Sequence, residues 1–144
     1  MIRLLDVNVL VALAWPNHIH HARALSWFSR VHRDGWATCS VTENGFVRVS
    51  SNTRAIPEAR SPGEAIALLR RMRALPGHEF WADDVSPADP AHASYQAVAG
   101  YRQVTDAHLL SLALRHEGAL ATFDGGLPDL LAGDAPQGAV ELIP

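Results

Sequence analysis

"IRLLDVNVLVAL", residues 2–13, is apolar almost from end to end, yet carries Asp6 and Asn8 in its middle. The first part, Ile2 to Leu5, has the length and character of a short buried strand. A helix is expected from about Val7 to Ala14, ending before Pro16. The carboxylate thus falls where a strand gives way to a helix, and the fold class turns on whether that unit repeats.

It does repeat. A second helix is expected over His20 to about His32, with Ala24, Phe28 and Val31 facing inward, and "WATCSV", Trp36 to Val41, reads as the second strand. The third helix starts in "SVTENGFVRVSS", where Ser40 and Glu43 have the spacing of a capping box. "SPGEAIALLRRMRAL" repeats that signal with Ser61 and Glu64, has Pro62 at the first helical position, and places Ala65, Leu68, Met72 and Leu75 on one face. Arg70 and Arg73 fall on the other. "EFWA", Glu79 to Ala82, is the third strand, and a helix is expected around Ala91 to Val98. In "TDAHLLSLALRHEG", Thr105 reads as the cap and Gly118 as the stop of a further helix. "ALATF", Ala119 to Phe123, is the fourth strand, and "AVELI" near the end is a candidate fifth. Short apolar strands alternating with amphipathic helices indicate an α/β fold: a three-layer sandwich with a mostly parallel central sheet.

Size and composition bound the rest. A chain of 144 residues is one domain's length, expected to bury roughly two-thirds of its unfolded surface, so residues 1–144 are read as a single domain. The single Cys39 excludes an internal disulfide and fits a reducing, cytoplasmic setting. No apolar run approaches the ~18 residues of a membrane span. All twelve basic residues are Arg. Without Lys there is no P-loop and no Schiff-base chemistry, and a phospho-acceptor domain relying on a Lys is disfavoured. Between Asn44 and Leu75, Arg48, Arg54, Arg60, Arg70, Arg71 and Arg73 face only Glu58 and Glu64. That basic island suits phosphate contact and base stacking, or is a solvated helix face.

In parallel sheets, functional residues gather outside the carboxyl ends of the strands. Asp6, Glu43 and Asp124 follow strands one, two and four, and Asp106 opens a helix that could point to the same edge. Four converging carboxylates repel one another unless a cation sits among them. Oxygen-only donors favour Mg²⁺ or Mn²⁺ over zinc. Each acid also has a plainer role available: Asp6 as a helix cap, Glu43 as half of a capping box, Asp106 at a helix dipole and Asp124 in the turn "FDGG". Asp83 and Asp84 follow a strand as well, so the edge rule alone does not select among the acids. His18, His20 and His21 are read as structural or surface groups, His108 and His116 as packing or solvent-facing, and Trp15, Trp27, Trp36 and Trp81 mainly as core.

The set "LLDVNVLVAL", "TENGFVRV", "RQVTDAHLLSLA" and "LATFD" resembles the PIN domain, and specifically the VapC toxins of prokaryotic type II toxin–antitoxin modules. "HIHHARALSWF" and "EFWADD" resemble a subgroup of them. The likeness runs through nearly the whole chain in order and spacing. It implies a PIN-like fold and a Mg²⁺-dependent endoribonuclease, held inactive by a cognate VapB-type antitoxin and commonly a homodimer, with tRNA or rRNA as substrate. Asp6, Glu43, Asp106 and Asp124 match the family's four acids, Asn8 the polar residue two places after the first, and Thr122 the hydroxyl residue two places before the last. Val7 stands where the wider family often has Thr or Ser.

The expected mechanism uses no protein nucleophile. Asp6 and Asp106 anchor the ion, Glu43 and Asp124 hold its waters or a second ion, and activated water attacks phosphorus, leaving a 5′-phosphate and a 3′-hydroxyl. Arg48, Arg70, Arg71 and Arg73 are candidate RNA contacts. The alternatives are a PIN scaffold that binds RNA or protein without cutting, and a metal-dependent DNA nuclease or phosphatase on a similar sheet.

Overall fold

The computed structural model describes all 144 residues. Five short strands form one sheet: β1 (Arg3–Leu5), β2 (Trp36–Cys39), β3 (His78–Trp81), β4 (Ala119–Thr122) and β5 (Val140–Leu142). Their order is β3-β2-β1-β4-β5, and every neighbouring pair is parallel. The expected α/β sandwich is therefore present, with a wholly parallel sheet. Five helices accompany it: α1 (Val7–Ala14), α2 (His21–Val31), α3 (Ser40–Ser50), α4 (Pro62–Arg73) and α5 (Val104–Arg115).

Alternation along each strand sends neighbouring side chains to opposite faces, and the two faces build separate cores. Leu4, Ala37, Cys39, Trp81 and Leu120 join Leu109, Leu110, Leu112 and Ala113 of α5 on one side. On the other side Leu5, Trp36 and Ala121 pack with Val9 and Leu10 of α1, Trp27 and Phe28 of α2, Phe46 of α3, and Leu69 and Met72 of α4. The four tryptophans are all buried, as expected. Each indole N–H also finds an acceptor: Ser50, Glu141, the Pro76 carbonyl and Glu79 for Trp15, Trp27, Trp36 and Trp81 in turn.

Several local details differ from the sequence reading. The capping box at α3 lies one residue earlier than expected. Ser40 is already helical, the Cys39 backbone N–H donates to Thr42 Oγ1 at 3.0 Å, and Glu43 is left out of the cap. On α4 the buried set is Ala65, Leu69 and Met72, whereas Leu68 is half-buried and Leu75 lies exposed beyond the helix. Pro87 and Pro90 interrupt the region before Ala91–Val98, where the expected helix is reduced to a single 3₁₀ turn over Ala93–Ala97. The box at Ser61 and Glu64 is formed as read, with Pro62 at the first helical position.

The end of α5 shows how a Gly can be required for a reason other than the expected one. The left-handed residue there is Glu117, at φ 53°. The Gly118 N–H donates to the Ala113 carbonyl and the Glu117 N–H to that of Leu114, the paired bonds of a Schellman ending. Gly118 itself is needed because a Cβ would lie 2.6 Å from the Ile2 carbonyl oxygen and 2.7 Å from the Trp81 ring. Gly45 plays the same part where α3 crosses α1, its Cα facing Val7. Gly118→Ala is therefore expected to destabilise the protein by about 2 kcal/mol through overpacking. Glu117→Gly should stabilise it by at most about 1 kcal/mol, since relief of left-handed strain is partly offset by chain entropy. Thermal denaturation of the two variants gives shifts of opposite sign if this account holds.

Candidate active site

The order of the strands makes β1 and β4 neighbours, and their carboxyl ends carry Asp6 and Asp124. The ladder between them continues one residue past β1, for the Asp6 N–H donates to the Ala121 carbonyl at 3.1 Å. Asp6 occupies the cap position of α1, but its side chain accepts no capping bond. Its partner instead is Thr122 at the end of β4, whose Oγ1 donates to Asp6 Oδ2 at 2.9 Å. The same Thr122 oxygen accepts from the Asp124 N–H at 3.1 Å. One fully buried hydroxyl thus positions two acids that lie more than a hundred residues apart in sequence. Asp124 also makes the turn expected of "FDGG", with Oδ1 accepting from the Gly126 N–H at 2.8 Å.

Asp106 enters from the first turn of α5, where it is half-buried. Burial pushes its pKa up first, and the charges of Asp6 and then Asp124 add to this, raising it to about 6. Asp6 is 9% exposed. Its burial raises the pKa, the Thr122 hydroxyl and the Val7 amide oppose the rise, and Asp124 adds to it. Asp6, Asp106 and Asp124 therefore share one field. Asn8 is exposed in the first turn of α1, beside Asp6 in the chain.

Glu43 stands apart from these three. Its Oε1 accepts from Thr38 Oγ1 at 2.6 Å and lies 3.4 Å from the Arg73 guanidinium. Thr38 Oγ1 is in turn 2.8 Å from His78 Nε2. Since the hydroxyl proton is given to the carboxylate, His78 donates from Nε2 to the hydroxyl oxygen. Burial, then the charge of Arg73, lowers the His78 pKa and keeps the ring neutral. Arg73 also lies 5.3 Å from the centroid of the Phe80 ring, so of the four candidate RNA contacts it is already committed. Arg48 on α3, and Arg70 and Arg71 on α4, are exposed.

The histidines expected to be structural are tied locally. His20 stacks on Phe123 at 4.6 Å, His18 Nδ1 accepts from the His20 N–H, and His21 donates to the Ala12 carbonyl. His116 stacks on Trp81 at 4.2 Å. His108 is different. Its Nε2 is 2.7 Å from Asp83 Oδ2 and its Nδ1 is 2.8 Å from the Tyr95 hydroxyl. The sequence shows Asp83 behind a strand, but no spacing rule joins residues 83, 95 and 108.

Carboxylates crowded around the ends of two strands, two of them with raised pKa, form a donor set that suits a hard divalent cation. No three acidic, histidine or cysteine side chains converge closely enough to hold an ion between them. Mg²⁺ keeps several waters, so a site with fewer than three such side chains is compatible with it.

A raised pKa in the folded state means that folded protein holds this proton more tightly than the unfolded chain does. For Asp106, stability therefore falls as pH rises from its ordinary value near 3.8 to about 6, and the loss persists above that range. Asp106→Asn should remove this dependence and raise the stability of metal-free protein at neutral pH. Because the group is only half-buried, solvent screening reduces the gain to about 1 kcal/mol. Thermal unfolding in EDTA between pH 4 and 8 tests it, and equal pH profiles for the two proteins would refute the shared field.

The PIN domain family model matches residues 3–130. Ribonuclease VapC39 of Mycobacterium tuberculosis is 48% identical over 143 residues, covering 99% of this chain and 100% of the relative. Ribonuclease VapC38 of the same species is 52% identical over 140 residues, covering 97% and 96%. Among solved structures, VapBC2 from Rickettsia felis, bound to a DNA fragment from its promoter, superposes with a TM-score of 0.62 at 12% identity, covering 99% of this chain and 98% of that one. That likeness concerns the fold. The sequence relatives and the family model together place the chain in the PIN domain family, among the VapC ribonucleases.

Proposed function

We propose that the protein is a metal-dependent endoribonuclease, the toxin of a VapBC-type module, and that Asp6 and Asp106 hold Mg²⁺, or Mn²⁺ in its place. The observation that carries this reading is the shared field of Asp6, Asp106 and Asp124 at the adjoining ends of β1 and β4. When bound, the ion supplies positive charge to the scissile phosphate and makes water a competent nucleophile near neutral pH. The protein's own part is to hold the carboxylates in place and partly shielded from solvent, in surroundings that disfavour their charge until a cation compensates it.

Thr122 does the orienting. By donating to Asp6 Oδ2 it restrains the carboxylate, which would then hold the cation. Asp124 and Glu43 hold water around the ion, or a second ion once RNA is in place. For Glu43 this requires release from Arg73, and a phosphate is a suitable new partner for that guanidinium. Arg48, Arg70 and Arg71 offer exposed charge to the RNA backbone. The names of the sequence relatives support RNA as the substrate; tRNA or rRNA as the particular target, a cytoplasmic setting, a VapB-type antitoxin as partner and assembly as a homodimer belong to the same proposal. No helix is long and apolar enough to cross a membrane.

Purified protein should cut total cellular RNA into discrete fragments with Mg²⁺, and not with EDTA. Asp6→Asn and Asp106→Asn should each reduce the rate by more than about 100-fold, beyond the usual effect of groups that only orient a metal ligand. Mapped products should carry a 5′-phosphate and a 3′-hydroxyl. Full cleavage by a folded Asp6→Asn protein would overturn the assignment, and cleavage of DNA or a phosphomonoester in preference to RNA would favour the other hydrolase readings. Because a proton and the ion compete for Asp106, the Mg²⁺ concentration giving half-maximal rate should rise as pH drops below about 6. A half-maximal Mg²⁺ concentration unchanged from pH 5 to 8 would show that this carboxylate is not a ligand.

A further inference from the structure

We infer that a second hollow at the carboxyl edge of the sheet receives a nucleobase of the RNA next to the bond that is cut, which deepens the ribonuclease reading and rests on it. The hollow has a volume of about 370 Å³, within the range of about 300–1,000 Å³ common to small-molecule sites. Its apolar walls are Val41 from the start of α3, Val85 from the segment after β3, and Val104 from the start of α5. Its polar groups are Asp83, Tyr95, Thr105 and His108. Apolar walls around a few placed polar groups are what a flat heterocycle with hydrogen-bonding edges requires.

Position selects the ligand. Thr105 directly precedes Asp106 in the first turn of α5, so the hollow adjoins the acid cluster. Val41 lies beyond the end of β2, and Asp83 and Val85 beyond the end of β3. With the strand order β3-β2-β1-β4-β5, the hollow extends the edge that begins at Asp6 and Asp124 towards the β3 side of the sheet. A strand of RNA whose phosphate sits at Asp6 and Asp106 has its neighbouring base within reach of this hollow.

The polar corner is ordered before anything binds. His108 Nε2 lies 2.7 Å from Asp83 Oδ2, and its Nδ1 lies 2.8 Å from the Tyr95 hydroxyl. This chain of contacts holds the Tyr95 ring, a half-buried aromatic surface on which a base can stack. Asp83 Oδ1 is engaged only by the Val85 N–H at 3.4 Å, which leaves it able to accept from an amino or imino group of a base. Thr105 is exposed, and its hydroxyl can either donate or accept. The same chain pins the segment after β3 to α5, so a purely structural role must be separated by a measurement that stability alone does not move.

Base preference is that measurement. Wild type, Thr105→Val and Tyr95→Phe are given a randomised RNA pool with Mg²⁺, and the base frequencies around the cut are read by sequencing. Both variants are expected to flatten the preference at one and the same position beside the cut by at least fivefold, with other positions unchanged and thermal midpoints near wild type for Thr105→Val. Unchanged profiles in both variants, or a wild type with no base preference beside the cut, would overturn the proposal. Should wild type cut no RNA at all, the ribonuclease reading fails, and the hollow is judged by adding the four nucleoside 5′-monophosphates to ¹⁵N-labelled protein. Shifts of the Tyr95, Thr105 and His108 amide signals would then uphold a base site on their own, and their absence would remove it.

Discussion

Like charge held at the buried junction of two parallel strands is the constraint on which the site depends. Asp6 is almost wholly enclosed, and its pKa is raised by that burial and by Asp124 nearby. Left alone, such a group would protonate or draw in water. The hydroxyl of Thr122 offsets part of the penalty with a hydrogen bond to the ionised form, and the same oxygen anchors the backbone of Asp124. Asp106 has no comparable donor and shows the larger consequence, a pKa near 6. The unrelieved part of the repulsion is what a divalent cation would remove, so under the proposed function metal affinity and the cost in stability would have the same origin.

The sheet can carry this load because its two cores are independent of the crevice. One forms against α5 and the other against α1 to α4, both from side chains that alternate along very short strands. All five strands are only three or four residues long, so each contributes few ladder bonds. Close contacts at Gly45 and Gly118 let α1, α3 and the β3 edge approach without gaps. The acids therefore sit at the rim of a tightly packed frame, where local electrostatic strain need not be transmitted into the cores.

Glu43 illustrates how a single shift in helix register alters a site. The S-x-x-E pattern at Ser40 invited a capping role, but the Cys39 and Thr42 pair takes that position. Glu43 is thereby free to pair with Thr38 and Arg73 on the side of the sheet where α4 packs. This pairing gives Arg73 a part in how the fourth acid is made available. On the opposite side of the sheet, Asp83, Tyr95 and His108 form a chain that brings the irregular segment after β3 down onto α5.

Local sequence determined most of the architecture. The apolar strands, the Ser61 to Glu64 cap and the amphipathic faces of α2, α4 and α5 are written within windows of a few residues, because backbone propensity and side-chain periodicity act over that range. From them followed the α/β class, the parallel sheet and the expectation that Asp6, Glu43 and Asp124 share an edge to which Asp106 can also point. The reduction of the expected helix around Ala91–Val98 to a 3₁₀ turn, the displaced cap of α3 and the left-handed Glu117 were settled by neighbours distant in the chain or by proline spacing that apolar pattern alone does not weigh. Likewise, only the tertiary structure decided that Thr122 serves two acids, that Glu43 answers to Arg73, and that Asp83 meets His108. Those pairings depend on which side chains the packed sheet brings within about 3 Å of each other, the range at which hydrogen bonds form, and no local pattern encodes that distance.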